Sequence, residues 1–188
     1  MGQSVILGVD PGSRVTGIAV LRESSGKLSV LACDTIRLDH IEDHIQRLKN
    51  LYYHITDYLQ TYHPDACAVE TPVYGKDPQA MLKLGRAQAA AILAISNLDI
   101  PVTEYMPKAV KKSITGNGNA AKEQVAYMLR NMVELPEGDI SADATDALAV
   151  AWCHMMKGSD SAAVTPSSSK KSVSSWGDFA RNNPDRIK

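Results

Sequence analysis

Residues 4–21 read SVILGVDPGSRVTGIAVL, the pattern of a strand, a turn and a second strand. Its first part, 4–9, is a short apolar run whose length and composition predict a buried strand. Asp10-Pro11-Gly12 ends that strand, because Pro11 has no N–H to give to a ladder and Gly12 favours a turn. Residues 15–21 and 28–36 predict two more strands, with Ser24-Ser25-Gly26 as the hairpin turn between them. Ile41, Ile45, Leu48, Leu51, Tyr52, Ile55 and Leu59 then recur at helical spacing. Pro64-Asp65 breaks this helix, and ACAV (66–69) predicts a short buried strand that runs into Glu70. Residues 79–98 form an Ala-rich helix and 101–105 another short strand. Gly116 to Asn119 reads as a loop, with Asn119 placed to N-cap a helix reaching about Met132; 143–156 is the last helix. This order predicts an α/β fold: a mixed five-stranded sheet flanked by helices.

The chain has 188 residues, 44% of them hydrophobic and 22% charged, enough for one domain with a real core plus a tail. Its net charge of -1 excludes a uniformly basic nucleic-acid coat, but the charge is unevenly placed. Residues 71–130 carry 8 basic and 4 acidic side chains, whereas 131–156 carry 5 acidic and none basic. Three widely spaced cysteines, Cys33, Cys67 and Cys153, make neither a C-x-x-C metal pair nor a disulfide framework. No apolar run reaches the roughly 18 residues of a membrane span, and the first residues lack the basic region of a secretion signal. The expected setting is therefore the reducing cytoplasm, with no membrane partner. Residues 1–157 are expected to form the folded domain and 158–188 a disordered Ser/Lys-rich tail. Trp176 and Phe179 stand out in that tail, which is either a loose end or a short docking peptide.

Asp10 and Glu70 each sit at the carboxyl end of an expected strand, where open α/β sheets bind ligands. Asp143 and Asp146 lie three apart at the start of the last helix, on one face. Each has an ordinary explanation: Asp before Pro-Gly forms turns, and a first helical turn favours acids. Glu70 is harder to dismiss, because a charge directly after ACAV is costly. Together the four would repel one another unless a cation joined them. Oxygen ligands without His or Cys suit Mg²⁺ or Mn²⁺, and two such ions ~3.5–4 Å apart serve phosphodiester hydrolysis. His40 and His44, four apart, have no third ligand nearby and read as surface residues.

Five segments in order carry a resemblance: ILGVDPGSRVTGIAVL (6–21), AVET (68–71), LKLGRAQ (82–88), TGNGNAAKEQV (115–125) and ADATDALAVA (142–151). Over nearly all of 4–156 the chain resembles RuvC-type Holliday junction resolvases, the crossover junction endodeoxyribonucleases. The resemblance implies a ribonuclease-H-like nuclease domain acting as a homodimer with Mg²⁺, for which Mn²⁺ can substitute. It places the catalytic, metal-holding carboxylates at Asp10, Glu70, Asp143 and Asp146. It implies paired nicks in strands of like polarity across a four-way DNA junction during recombination and repair, in cooperation with a RuvA/RuvB branch-migration machine.

A junction is a polyanion, so its surface should be basic. Lys108, Lys111, Lys112 and Lys122 fall in a stretch without a carboxylate, and Lys76, Lys83 and Arg86 are further candidates. The resemblance favours Lys111 and Lys122. Members of the family commonly carry an aromatic wedge three residues after the catalytic Glu; here that position is Val73, followed by Tyr74. Tyr74 is either a stacking residue or an ordinary loop tyrosine. Two other readings stay open: another ribonuclease-H-like nuclease, such as one acting on RNA–DNA hybrids, and a junction-binding module without catalysis. An actin-like phosphotransferase would need two related domains, for which the chain is too short.

Overall fold

The computed structural model describes residues 3–73, 75, 77–135 and 138–161, the last four without their side chains. Among the described residues there are five strands: β1 (Ser4–Asp10), β2 (Val15–Ser24), β3 (Lys27–Arg37), β4 (Ala66–Glu70) and β5 (Val102–Tyr105). They form one sheet in the order β3-β2-β1-β4-β5, with β1–β2–β3 antiparallel and β1–β4–β5 parallel. Helices α1 (His44–Tyr62) and α2 (Pro78–Ser96) cover one face. Helices α3 (Pro107–Thr115), α4 (Lys122–Met132) and α5 (Ala142–Ser161) cover the other.

The apolar run at 4–9 is continuous because β1 is buried on both faces. Val5, Leu7 and Val9 point into the core under α1 and α2, whereas Ile6 points into the core under α5. The β2–β3 turn places Ser25 and Gly26 at φ of 52° and 80°, the paired left-handed geometry of a tight hairpin. Asp43 caps α1 by accepting from the backbone N–H of Ile45 and Gln46, so the helix starts after Ile41, which the periodicity had included.

Two differences from the sequence reading lie near the sheet's carboxyl end. Helix α3 is unanticipated: it has nine residues, and only Val110 and Ile114 mark its buried side. Helix α4 begins at Lys122 without a side-chain cap, and the Asn119 backbone N–H instead donates to Asn117 Oδ1. The loop thus uses its asparagines on itself. The last helix is longer than its periodic stretch and continues to Ser161. Tyr74, Lys76 and the tail with Trp176 and Phe179 lie outside the described residues.

Candidate active site

Asp10 and Glu70 meet because their strands are neighbours. The parallel register pairs Val9 with Val69, so the next residue on each strand is a carboxylate. The turn after Asp10 is held by the buried Thr16, whose hydroxyl accepts from the Gly12 N–H and donates to the Gly12 carbonyl, each at 3.1 Å. Beyond Glu70 the Thr71 N–H donates to the Tyr105 carbonyl at 2.9 Å, which keeps β4 extended past its acid.

Helix α5 brings the other two acids. Ser141 caps its start, its Oγ accepting from the Ala144 N–H at 3.2 Å. The helix lies directly on the strands because Gly8 and Gly17 have no side chains. A Cβ on Gly17 would stand 1.9 Å from the Asp143 carbonyl oxygen, and one on Gly8 would stand 2.3 Å from that of Ala147. Gly17 is opposite Asp10 in the β1–β2 ladder, so this contact sets Asp143 over the first carboxylate. Gly17→Ala should lift the start of α5 and cost about 3 kcal/mol, the upper part of the overpacking range, because the obstacle is backbone. Urea denaturation checks this; a loss below about 0.5 kcal/mol would mean that α5 rests elsewhere.

Two small clefts adjoin the carboxylates. One of about 220 Å³ is lined by Asp10, Glu70 and Asp143 together with Val73 and Leu84. The other, about 250 Å³, is lined by Glu70, Asp146, Lys111 and Lys122. Glu70 belongs to both and is the seam of the site. Burial, then the charges of Asp10 and Asp146, push the Glu70 carboxyl up from 4.5 to about 8. Burial and the charges of Asp146 and Asp143 push Asp10 up from 3.8 to about 6, against the pull of Lys122. Lys122 forms an ion pair with Asp146, and that hydrogen bond holds the ammonium above its ordinary range.

Raised carboxylates at one spot form a donor set that a hard divalent cation would relieve. Among the described residues, no three His, Cys, Asp or Glu side chains are close enough to count as a ready cation cage. The Lys122 ammonium lies against Asp146.

Of the basic residues read from the sequence, Lys111 and Lys122 reach the site. Lys111 also ties α3 to the loop before α4, its Nζ donating to the Ala120 carbonyl at 2.9 Å. Lys108 packs its backbone against Gly118, and Lys112 is an exposed residue in the last turn of α3. Lys83 and Arg86 lie on α2, where their charges act on His44 rather than on the carboxylates. His44 itself departs from the surface reading: both ring nitrogens are shielded and lack a hydrogen-bond partner among the described residues. Thr16, Ser141, Gly8 and Gly17 were missed as parts of the site. Their signals, small residues in a strand and a Ser before an Ala-rich helix, are common enough to pass unnoticed.

A mixed sheet with acids on two adjacent strand ends and on a helix laid across them defines a nuclease of the ribonuclease-H-like class. The family model for "Crossover junction endodeoxyribonuclease RuvC" matches residues 6–154. The chain belongs to this RuvC family of crossover junction endodeoxyribonucleases. It is 48% identical to the RuvC of Salinibacter ruber, over 97% of this chain and 98% of that one. It is 42% identical to that of Porphyromonas gingivalis, over 99% and 98%. Its fold matches the solved Thermus thermophilus RuvC in complex with Holliday junction substrate, with a TM-score of 0.77 at 29% identity, over 84% of this chain and 96% of that one. The yeast mitochondrial resolvase Ydc2, at 14% identity and a TM-score of 0.61, shares the fold.

Proposed function

We propose that Asp10, Glu70, Asp143 and Asp146 are the catalytic carboxylates of this endonuclease and hold Mg²⁺ while it nicks a four-way DNA junction. One observation carries the assignment: two adjacent strand ends and one helix start converge their acids where Glu70 lines both clefts. The bound cations would polarise a water for attack on phosphorus and neutralise the leaving oxygen. The protein's own part is positional. Thr16 fixes the turn after Asp10, α5 fixes Asp143 and Asp146, and Lys122 holds Asp146 in place before the cations arrive. Val73 borders both clefts from the loop after β4, so that loop faces the substrate; Tyr74, the next residue in the sequence, is the candidate for stacking on a base, and Lys76 for a phosphate contact.

Lys111 and Lys122, supported by Lys108 and Lys112, supply the phosphate-binding edge; Lys83 and Arg86, on α2 beside His44, are separate candidates for a more distant phosphate. Lys111→Ala with Lys122→Ala should weaken junction binding and reduce the salt slope by about 2. Binding measured across a salt series checks this, and an unchanged slope would place the DNA surface elsewhere.

A homodimer fits the exposed face of α2. Leu82, Gly85, Ala89 and Leu93 recur there at helical spacing, and nothing lies within 4 Å of a Cβ built on Gly85. A mid-helix glycine costs roughly 1 kcal/mol against alanine, and close approach of a partner helix would offset that cost. The dimer would work in the cytoplasm beside a RuvA/RuvB branch-migration complex. No helix among the described residues is long and apolar enough to cross a membrane. The substrate assignment is tested by comparing cleavage of a synthetic four-way junction with that of an RNA–DNA hybrid duplex in Mg²⁺. Preference for the hybrid would overturn it.

A further inference from the structure

The sheet has a second opening at the pole opposite the carboxylates. A cavity of about 540 Å³ lies between the starts of β1 and β4, the β2–β3 hairpin and the end of α5. Ile6, Leu28, Ala66 and Met156 give it an apolar wall, and Glu23 and Asp65 stand among its lining residues. Among the described residues neither acid has an ion-pair partner. We propose that this cavity is the seat of the chain's own C-terminal segment, with Trp176 and Phe179 in the apolar part and the basic residues after them against Glu23 and Asp65.

Three observations select this occupant. The tail leaves α5 at the cavity: Met155 and Met156 line it, and the described helix ends at Ser161, about 7–8 Å further along the axis. The 14 residues between Ser161 and Trp176 span at most ~50 Å, so the aromatic pair is within reach, and a tether this short raises its effective concentration to about the millimolar range. The chemistry also matches. WGDFARNNPDRIK (176–188) holds the tail's only large aromatics, each able to bury about 150–250 Å², followed by Arg181, Arg186 and Lys188.

The full-length chain labelled with 5-fluorotryptophan gives two fluorine resonances, from Trp152 and Trp176, assigned with Trp176→Phe. The free reference is a labelled peptide of residues 172–188. Docking predicts a Trp176 resonance displaced from the peptide's position and broadened several-fold less by a soluble gadolinium chelate. Leu28→Glu, in the half-exposed part of the wall, should return it to the peptide's position, and Glu23→Lys should move it part of the way. The Trp152 resonance reports whether each variant stays folded, Glu23→Lys included, because Glu23 Oε1 also accepts the Gly26 N–H of the hairpin at 2.8 Å. A Trp176 that behaves like the free peptide in the wild-type chain would overturn the proposal. So would a protected Trp176 that ignores both variants, or protection that disappears on dilution, which would place the segment on a second copy.

Discussion

Glu70→Gln is expected to lower Mg²⁺-dependent junction cleavage by on the order of 10³-fold while junction binding without metal stays as tight or tightens. The substitution keeps the shape of the side chain. Among the described residues Glu70 is the one acid that lines both clefts, so its removal touches the whole site. Binding should survive because Lys111 and Lys122 remain, and one negative charge facing the phosphates is gone. Gel-shift titrations in EDTA beside single-turnover cleavage in Mg²⁺ separate the two effects. Equal losses of binding and cleavage would mean that Glu70 supports the fold rather than the reaction.

The same residue should make the metal-free protein less stable as pH rises. Glu70 is held near 8 in the folded state against an ordinary value of 4.5, so the folded state binds its proton more tightly than the unfolded chain does. Stability from this group is full below about pH 4.5 and is lost as pH rises through about 8. Asp10 behaves alike over a lower window, from 3.8 to about 6. With coupling between the acids discounted, the loss for Glu70 is about 3 kcal/mol, or ~6–12 °C in Tm for a chain of this size. In EDTA, Glu70→Gln should match wild type near pH 5 and be the more stable protein at pH 8.5. Mg²⁺ at pH 8.5 should then raise the Tm of wild type more than that of the variant. A variant less stable than wild type at pH 8.5 would show that the carboxylate is satisfied without a cation. Strain of this kind, accepted in the fold and relieved on loading, is common at catalytic sites.

The strands and their acids were legible because the signals are local. A charge directly after the buried run ACAV marks a strand end that solvent and ligand reach, and Asp10-Pro11 marks another. The face shared by Asp143 and Asp146 follows from helical spacing alone. What the sequence hid depends on contacts distant along the chain. Gly17 matters because the Asp143 carbonyl lies above it, 126 positions later, and nothing in VTGIAV announces that neighbour. The seating of Lys122 on Asp146 rather than in open solvent depends likewise on α4 crossing the start of α5. Helix α3 was invisible because two buried residues in nine are too few for a periodic signal. The basic residues show the same division. They read as one cluster, yet the fold sends Lys111 and Lys122 to the acids and turns Lys83 and Arg86 toward α1.

Cutting of a four-way junction by the four carboxylates at one end of the sheet is read most directly from where the strands are cut. The direct measurement labels each of the four strands of a synthetic junction in turn and maps the Mg²⁺-dependent products at nucleotide resolution. Nicks are expected at matching positions in two strands of like polarity, absent in EDTA and absent with Glu70→Gln. Cleavage that persists without a divalent cation, or that survives Glu70→Gln at the wild-type rate, would contradict that role for the four carboxylates.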